Sequence, residues 1–133
     1  MPEVPQERPT VLVVDDEEDL RDIVRRMLER RGFETLMAAD ADQALEVCRD
    51  HAGAIDVLVT DLGLPGVGGG ELARAATGMR TDMGVVYISG LPKDIAVAKG
   101  QIAEDARLVM KPFTSDVLLE ALRAVLADRA PSM

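Results

Sequence analysis

Residues 11–20 read VLVVDDEEDL. Four aliphatic residues run without interruption into five carboxylates, and Leu20 then opens a new spacing. A short, continuously apolar, β-branched run predicts a strand buried on both faces, as in a parallel sheet whose crossovers cover both sides. Beyond it, Leu20, Ile23, Val24, Met27 and Leu28 recur at helical spacing and predict one apolar stripe, with Arg21, Asp22, Arg25, Glu29 and Arg30 on the remaining surface. Gly32 ends that helix. The stretch is thus a strand followed by a helix, with a knot of negative charge at the turn.

The same unit recurs along the chain. Apolar runs at Val11–Val14, Thr35–Ala38, Ile55–Val59, Val85–Ile88 and Leu108–Met110 alternate with helical patterns, which predicts an α/β fold with a five-stranded parallel sheet. The first, third and fourth runs are continuously apolar and read as interior strands; the second and fifth read as edges. The second helix carries Ala41, Ala44, Leu45 and Cys48 behind an Asp40–Gln43 capping box. The third carries Leu72, Ala76 and Met79. The fifth carries Leu118, Leu122, Val125 and Leu126, with Thr114 as its N-cap. The fourth, within 93–102, follows Pro92 and contains Gly100, so it is expected to be short or mobile. Residues 66–70, GVGGG, read as a flexible loop.

One domain accounts for the 133 residues. Residues 1–9, with Pro2, Pro5 and Pro9, read as an arm or linker; 10–128 form the domain; 129–133 are a tail. Apolar residues are 47% of the chain and aromatics 2%, so the core must be aliphatic. A net charge of −9 argues against direct binding to nucleic acid. Cys48 alone makes no internal disulfide, and His51 alone makes no histidine-based metal site. No run approaches the roughly 18–20 apolar residues of a membrane span, and the N-terminus is unlike a signal peptide. A cytoplasmic setting is expected.

In an open α/β sheet, ligands bind beyond the carboxyl ends of the strands. The first strand is followed by Asp15 and Asp16, the third by Asp61, the fourth by Ser89 and Gly90, and the fifth by Lys111 and Pro112. Singly, each has an ordinary explanation: helix-terminal charge, turn residue, loop start, solvated cation. A parallel sheet brings all of them to one rim. Three carboxylates there would repel one another unless a cation sat between them. Hard oxygen donors without Cys or His select Mg²⁺. A carboxylate beside that ion and a lysine suits a nucleophile that attacks a phosphoryl group.

Four segments, VLVVDDEEDL (11–20), DVLVTDLGLPG (56–66), VVYISG (85–90) and VMKPF (109–113), resemble the motifs of response-regulator receiver domains of two-component signalling. The resemblance covers residues 10 to about 128. It implies a flavodoxin-like, CheY-like sheet in the order 2-1-3-4-5 with about five helices. It also implies Asp61 as phosphoacceptor; Asp15, Asp16, Asp61 and the backbone carbonyl of Gly63 as protein ligands for Mg²⁺; Ser89 as switch hydroxyl; and Lys111 as partner of the phosphoryl oxygens, before a cis peptide to Pro112. Implied partners are a histidine kinase or histidine-phosphotransfer protein as donor, and a downstream protein as target. The isolated chain is then no conventional enzyme beyond Mg²⁺-dependent self-phosphorylation and dephosphorylation.

Several positions depart from the common pattern. Leu108 stands where receivers often carry Tyr or Phe, Ser89 replaces threonine, and Gly90 replaces alanine, so ordering of the loop after the fourth strand is itself a candidate response. Gly63 and Leu91 are expected to tune hydrolysis by gating water. The YISG and LVMKPF segments resemble receivers at the carboxyl end of hybrid histidine kinases, and a free-standing regulator is the other origin. With 10–128 occupied, no output domain is expected within the chain.

Three rival functions are weighed against this one. A flavin mononucleotide binder of the same fold needs hydroxyls and amides where this chain has DDEED. An aspartyl phosphohydrolase needs a second aspartate two residues after Asp61, where Gly63 stands. A phosphorylation-independent binding module would not need Asp15, Asp16, Asp61, Ser89 and Lys111 all intact.

Overall fold

The computed structural model describes residues 8–128. Most of the expected arm, and the tail at 129–133, lie outside the described residues. Strands β1 (Thr10–Val14), β2 (Glu34–Ala38), β3 (Val57–Asp61), β4 (Gly84–Ser89) and β5 (Arg107–Met110) alternate with helices α1 (Glu18–Arg30), α2 (Ala41–Asp50), α3 (Gly69–Met79), α4 (Lys93–Ala98) and α5 (Ser115–Asp128). The sheet is wholly parallel in the order β2-β1-β3-β4-β5, with β2 and β5 at its edges as the sequence predicts.

Alternation along the strands sorts the core. Val11, Val13, Val57 and Val59 face α1 and α5, packing with Val24, Leu28, Leu118 and Leu122. Leu12, Val14 and Leu58 face the other way, onto Ala44 and Cys48 of α2 and Leu72 and Ala76 of α3. The central residues of β1 and β3 are therefore apolar at successive positions, because both faces of each strand are covered. A smaller third cluster joins Leu62, Ala96 of α4 and Ile102, with Tyr87 and Leu108 packed against it.

The helix signals are realised as stop and start geometry. Gly32 has φ +90°. Its N–H donates to the Glu29 carbonyl at 3.2 Å, while the Phe33 N–H donates to Leu28 at 3.1 Å, and this paired closure leaves buried Phe33 against Leu28 in the core. Gly100, φ +76°, ends α4 by the same pattern through the Val97 and Ala96 carbonyls, so the glycine that weakens the helical pattern is its terminator. Asp40 accepts from the Gln43 N–H at 2.8 Å, and Gln43 Oε1 accepts from the Ala39 N–H. Thr114 Oγ1 accepts from the Val117 N–H at 3.3 Å.

Four expectations are corrected. Residues 69 and 70 are not loop: both are buried in the first turn of α3. A Cβ on Gly69 would collide with the Asp61 carbonyl, and one on Gly70 with the Gln101 carbonyl, so the glycines are there for close approach. β3 begins at Val57 rather than Ile55, because the Asp56 carboxylate takes the Thr10 N–H at 2.7 Å that a ladder carbonyl would otherwise take. Ile23, placed in the α1 stripe, is 49% exposed because Val24 and Leu28 alone meet the sheet squarely. Met79, the last residue of α3, is 47% exposed where the helix passes the end of the core.

Arg80, which carries no sequence signal, closes α2. Its Nε, Nη2 and Nη1 donate to the carbonyls of Cys48 (2.8 Å), His51 (2.7 Å) and Gly53 (2.7 Å). These are carbonyls at and beyond a helix end, which must find donors outside the helix. A planar fork of this kind is not reproduced by an ammonium. Arg80→Lys and Arg80→Ala are both expected to lose about 2 kcal/mol of stability, read as a lower urea midpoint at unchanged slope.

Candidate functional site

The carboxyl ends of the strands hold almost all the polar groups that the interior admits. Among the described residues, the buried polar or charged ones are Asp15, Thr60, Asp61 and Ser89. Asp15 directly follows β1, Thr60 and Asp61 end β3, and Ser89 ends β4. Lys111, directly after β5, is half-buried beside them. One rim thus gathers every strand-end residue singled out from the sequence.

Asp61 is 7% exposed and held by both oxygens. Its Oδ2 accepts from Lys111 Nζ at 2.8 Å, and its Oδ1 accepts from the Gly63 N–H at 2.8 Å. The Asp61 backbone is fixed as well: the Thr60 hydroxyl donates to its carbonyl at 3.1 Å, and Gly69 presses against the same group. Asp15 is 3% exposed. Its Oδ1 accepts from the Glu17 N–H at 2.8 Å; its Oδ2 has no hydrogen-bond partner and lies 3.9 Å from Lys111 Nζ. Arg21 Nη1 donates to the Asp15 backbone carbonyl at 2.6 Å. Asp16 is exposed, and one oxygen from each of Asp15, Asp16 and Asp61 lies within 4.8 Å of the others.

The electrostatics follow from that crowding. Burial raises the Asp15 pKa, the Glu17 N–H opposes the rise, and Asp61 and Asp16 add to it. Burial also works against the Lys111 ammonium, but the hydrogen bond and attraction of Asp61, with help from Asp15, outweigh it and raise the lysine pKa. Lys111 is therefore firmly charged. A buried carboxylate oxygen without a partner, facing two further carboxylates, fits a hard divalent cation with oxygen ligands.

The remaining sequence-singled residues flank this cluster. Ser89 Oγ accepts from the Leu91 N–H at 2.9 Å, and the Ser89 carbonyl accepts from the Lys111 N–H at 2.8 Å. The Lys111–Pro112 peptide is cis, as the resemblance implies. Gly90 is exposed with open space around it and an ordinary φ, so the backbone does not demand glycine there. Leu108 packs on the Leu62–Ala96–Ile102 cluster and Leu91 is 39% exposed; neither reaches the carboxylates through a hydrogen bond. Sequence reading missed Thr60, Gly69 and Arg21. Thr60 is detectable as a hydroxyl set between an aliphatic run and Asp61; Gly69 is indistinguishable from its neighbours in GVGGG, and Arg21 from a surface arginine.

Comparison with known proteins places the fold in a family. Residues 11–123 match the response regulator receiver domain. The chain is 35% identical over 121 residues to the chemotaxis protein CheY of Pseudomonas aeruginosa, covering 86% of this chain and 94% of that protein. Other relatives are longer: it spans 12% of the sensor kinase CckA of Brucella abortus, at 31% identity over 119 residues and 88% of this chain. Among solved structures, a response regulator receiver protein from Sinorhizobium medicae superposes with TM-score 0.81 at 32% identity, covering 93% of this chain and 98% of that one. A sheet in the order 2-1-3-4-5, an acidic cluster and a lysine at its carboxyl rim, and a family match along nearly all of the described residues lead to one conclusion: the chain belongs to the response regulator receiver domain family.

Proposed function

We propose that this receiver takes a phosphoryl group from a protein phosphohistidine onto the Asp61 carboxylate. In that step the new bond is Asp61 oxygen to phosphorus, the bond broken is phosphorus to imidazole nitrogen, and its electron pair stays on the imidazole. The observation that carries the reading is the buried Asp61 carboxylate with Lys111 Nζ at 2.8 Å and the partnerless Asp15 oxygen on the same rim. Asp15, Asp16, Asp61 and the Gly63 carbonyl would hold Mg²⁺, which when bound withdraws charge from the transferring oxygens. Lys111 neutralises a second phosphoryl oxygen, its ammonium kept charged against burial by Asp61 and Asp15. Gly63 keeps the approach open, since a glycine leaves the space beside Asp61 Oδ1 unfilled.

Output follows from the neighbouring hydrogen bond. Ser89 turns its O–H to the phosphoryl oxygen and gives up the Leu91 N–H, which changes the loop through Gly90 and Pro92 that leads into α4. Leu62, adjacent to Asp61, packs on Ala96 of α4, so the helix is tied to the phosphoacceptor strand by a second route. The donor is a histidine kinase or histidine-phosphotransfer protein, charged from ATP in the cytoplasm. The apolar groove lined by Leu20, Ile23, Met27, Pro112 and Phe113 beside Lys111 offers a protein donor a contact surface. The chain performs no turnover on a small substrate of its own, and it is read as a stand-alone regulator or the receiver of a hybrid kinase.

Incubation with acetyl phosphate and Mg²⁺ is expected to add one phosphoryl mass by intact mass spectrometry, and chelation or Asp61→Asn to abolish it. Persistence of the adduct in Asp61→Asn would remove Asp61 as acceptor. Lys111→Met is expected to slow phosphorylation at least tenfold.

Asp15 sets the pH behaviour. Its folded pKa is raised, so its protonated form favours folding; that contribution is complete below the ordinary aspartate pKa and is lost as pH rises through the folded value. At neutral pH the ionised group therefore weakens the metal-free fold. Asp15→Asn is expected to raise the Tm of the metal-free protein at pH 7, with the gain shrinking toward pH 4, and to remove the further rise that Mg²⁺ gives the parent. A lower Tm for the variant at pH 7 would contradict the assignment.

A further inference from the structure

We infer that Arg21 is the positioning residue of the cation site, fixing the backbone of Asp15 so that its one unused carboxylate oxygen stays directed into the acidic cluster. The inference rests on the reading of that cluster as a cation site. Every polar group of Asp15 but one is engaged. Its N–H donates to the Ala38 carbonyl at 3.2 Å, its Oδ1 accepts from the Glu17 N–H, and its carbonyl accepts from Arg21 Nη1 at 2.6 Å. Oδ2 remains, buried and without a hydrogen bond.

The need for Arg21 comes from where the sheet stops. Pairing of β1 with β2 ends at Val14 and Ala38, so the Asp15 carbonyl lies beyond the last pair of the ladder and must find another donor. Arg21 supplies it from the first turns of α1, where its own N–H is bonded to the Glu17 carbonyl at 3.0 Å. The segment 15–21 is thereby tied at both ends, and Asp15 and Asp16 sit next to each other on it. Arg21 is also surrounded in sequence by Asp16, Glu17, Glu18, Asp19 and Asp22, yet among the described residues it makes no ion pair. Arg25, one turn later, is bonded to Asp22 at 2.8 Å and lies 3.6 Å from Glu29. Arg21 gives its short hydrogen bond to a neutral carbonyl instead, which orients the chain rather than cancelling a carboxylate.

Positioning and simple electrostatics predict opposite signs. Arg21→Met removes a positive charge near a cation site, and Coulomb repulsion alone would make Mg²⁺ bind more tightly. Loss of a group that orients a ligand makes it bind more weakly, by about tenfold. Isothermal titration of metal-free parent, Arg21→Met and Arg21→Lys with Mg²⁺ reads this directly, with Tm as the control for folding. The expected result is weaker binding in Arg21→Met, partial recovery in Arg21→Lys, which keeps a donor, and acetyl phosphate labelling in Arg21→Met that reaches the parent rate once Mg²⁺ is saturating. Equal or tighter Mg²⁺ binding by folded Arg21→Met would overturn the inference. If Arg21→Met does not fold, Arg21→Lys decides: weaker binding at unchanged Tm supports the role, unchanged affinity overturns it. Absence of Mg²⁺ binding in the parent would overturn the cation reading itself, and Asp61→Asn, unlabelled at any Mg²⁺ concentration, separates failure of the acceptor from failure of the ion site.

Discussion

Neighbouring strands of a sheet run about 4.8 Å apart, and here, of the hydrogen-bonded neighbours β1 and β3, β1 is followed at once by Asp15 and β3 ends in Asp61. Nothing else in the fold constrains the site as strongly. Parallel pairing in register forces Asp15 and Asp61 side by side at the same rim, with burial of both removing the water that would separate their charges. Lys111 comes from the far edge, across the end of β4, and its backbone N–H is bonded there to Ser89. The ammonium can meet both carboxylates only because β5 is in that register, so an edge strand with little core of its own is tied to the chemistry of the centre.

The same adjacency ties α4 to the site. α4 has six residues, and among the helices its buried contact is Ala96 alone. That residue rests on Leu62 and Ile102, and Leu62 follows β3 and its terminal Asp61 directly. α3 is held from the same side: its first turn fits against the Asp61 carbonyl at Gly69 and against the Gln101 carbonyl at Gly70. The backbone of the site and the loop after α4 therefore share one two-glycine seat. Elements with little buried area are the ones that open or shift at small cost, and α4 is such an element placed in contact with the residue next to Asp61.

The fold was legible because its signals are local. The aliphatic runs of β1 and β3, the stripe of α5, the Thr114 and Asp40 caps and Gly32 each depend on a few neighbouring residues, and the structure keeps them. The site was legible by a longer inference, that strand ends in a parallel sheet share a rim. What was not legible depends on distant partners. Arg80 caps α2 from beyond α3, the glycines of GVGGG are read correctly only once the Asp61 and Gln101 carbonyls are in place, and Ile23 looks like core until α1 is docked. Ile55 extends the apolar pattern backward past Asp56, but the bond of the Asp56 carboxylate to the Thr10 N–H sets the start of β3 at Val57.

Charge balance links the static site to its response. Three carboxylates and one ammonium leave two negative charges at the rim, which one divalent cation offsets. Phosphorylation on the proposed residue then adds negative charge to a balanced site that has already used Lys111 and the Gly63 N–H. Among the buried polar residues of the rim, Ser89 is the one whose hydroxyl proton is not given to the chain: its oxygen accepts from Leu91, whereas the Thr60 proton is given to the Asp61 carbonyl. A new acceptor at the rim would therefore find the Ser89 hydroxyl available as a donor. Ser89 Oγ also holds the Leu91 N–H in the turn into α4, so on the proposed chemistry the electrostatic demand at Asp61 and the release of that turn would be one rearrangement.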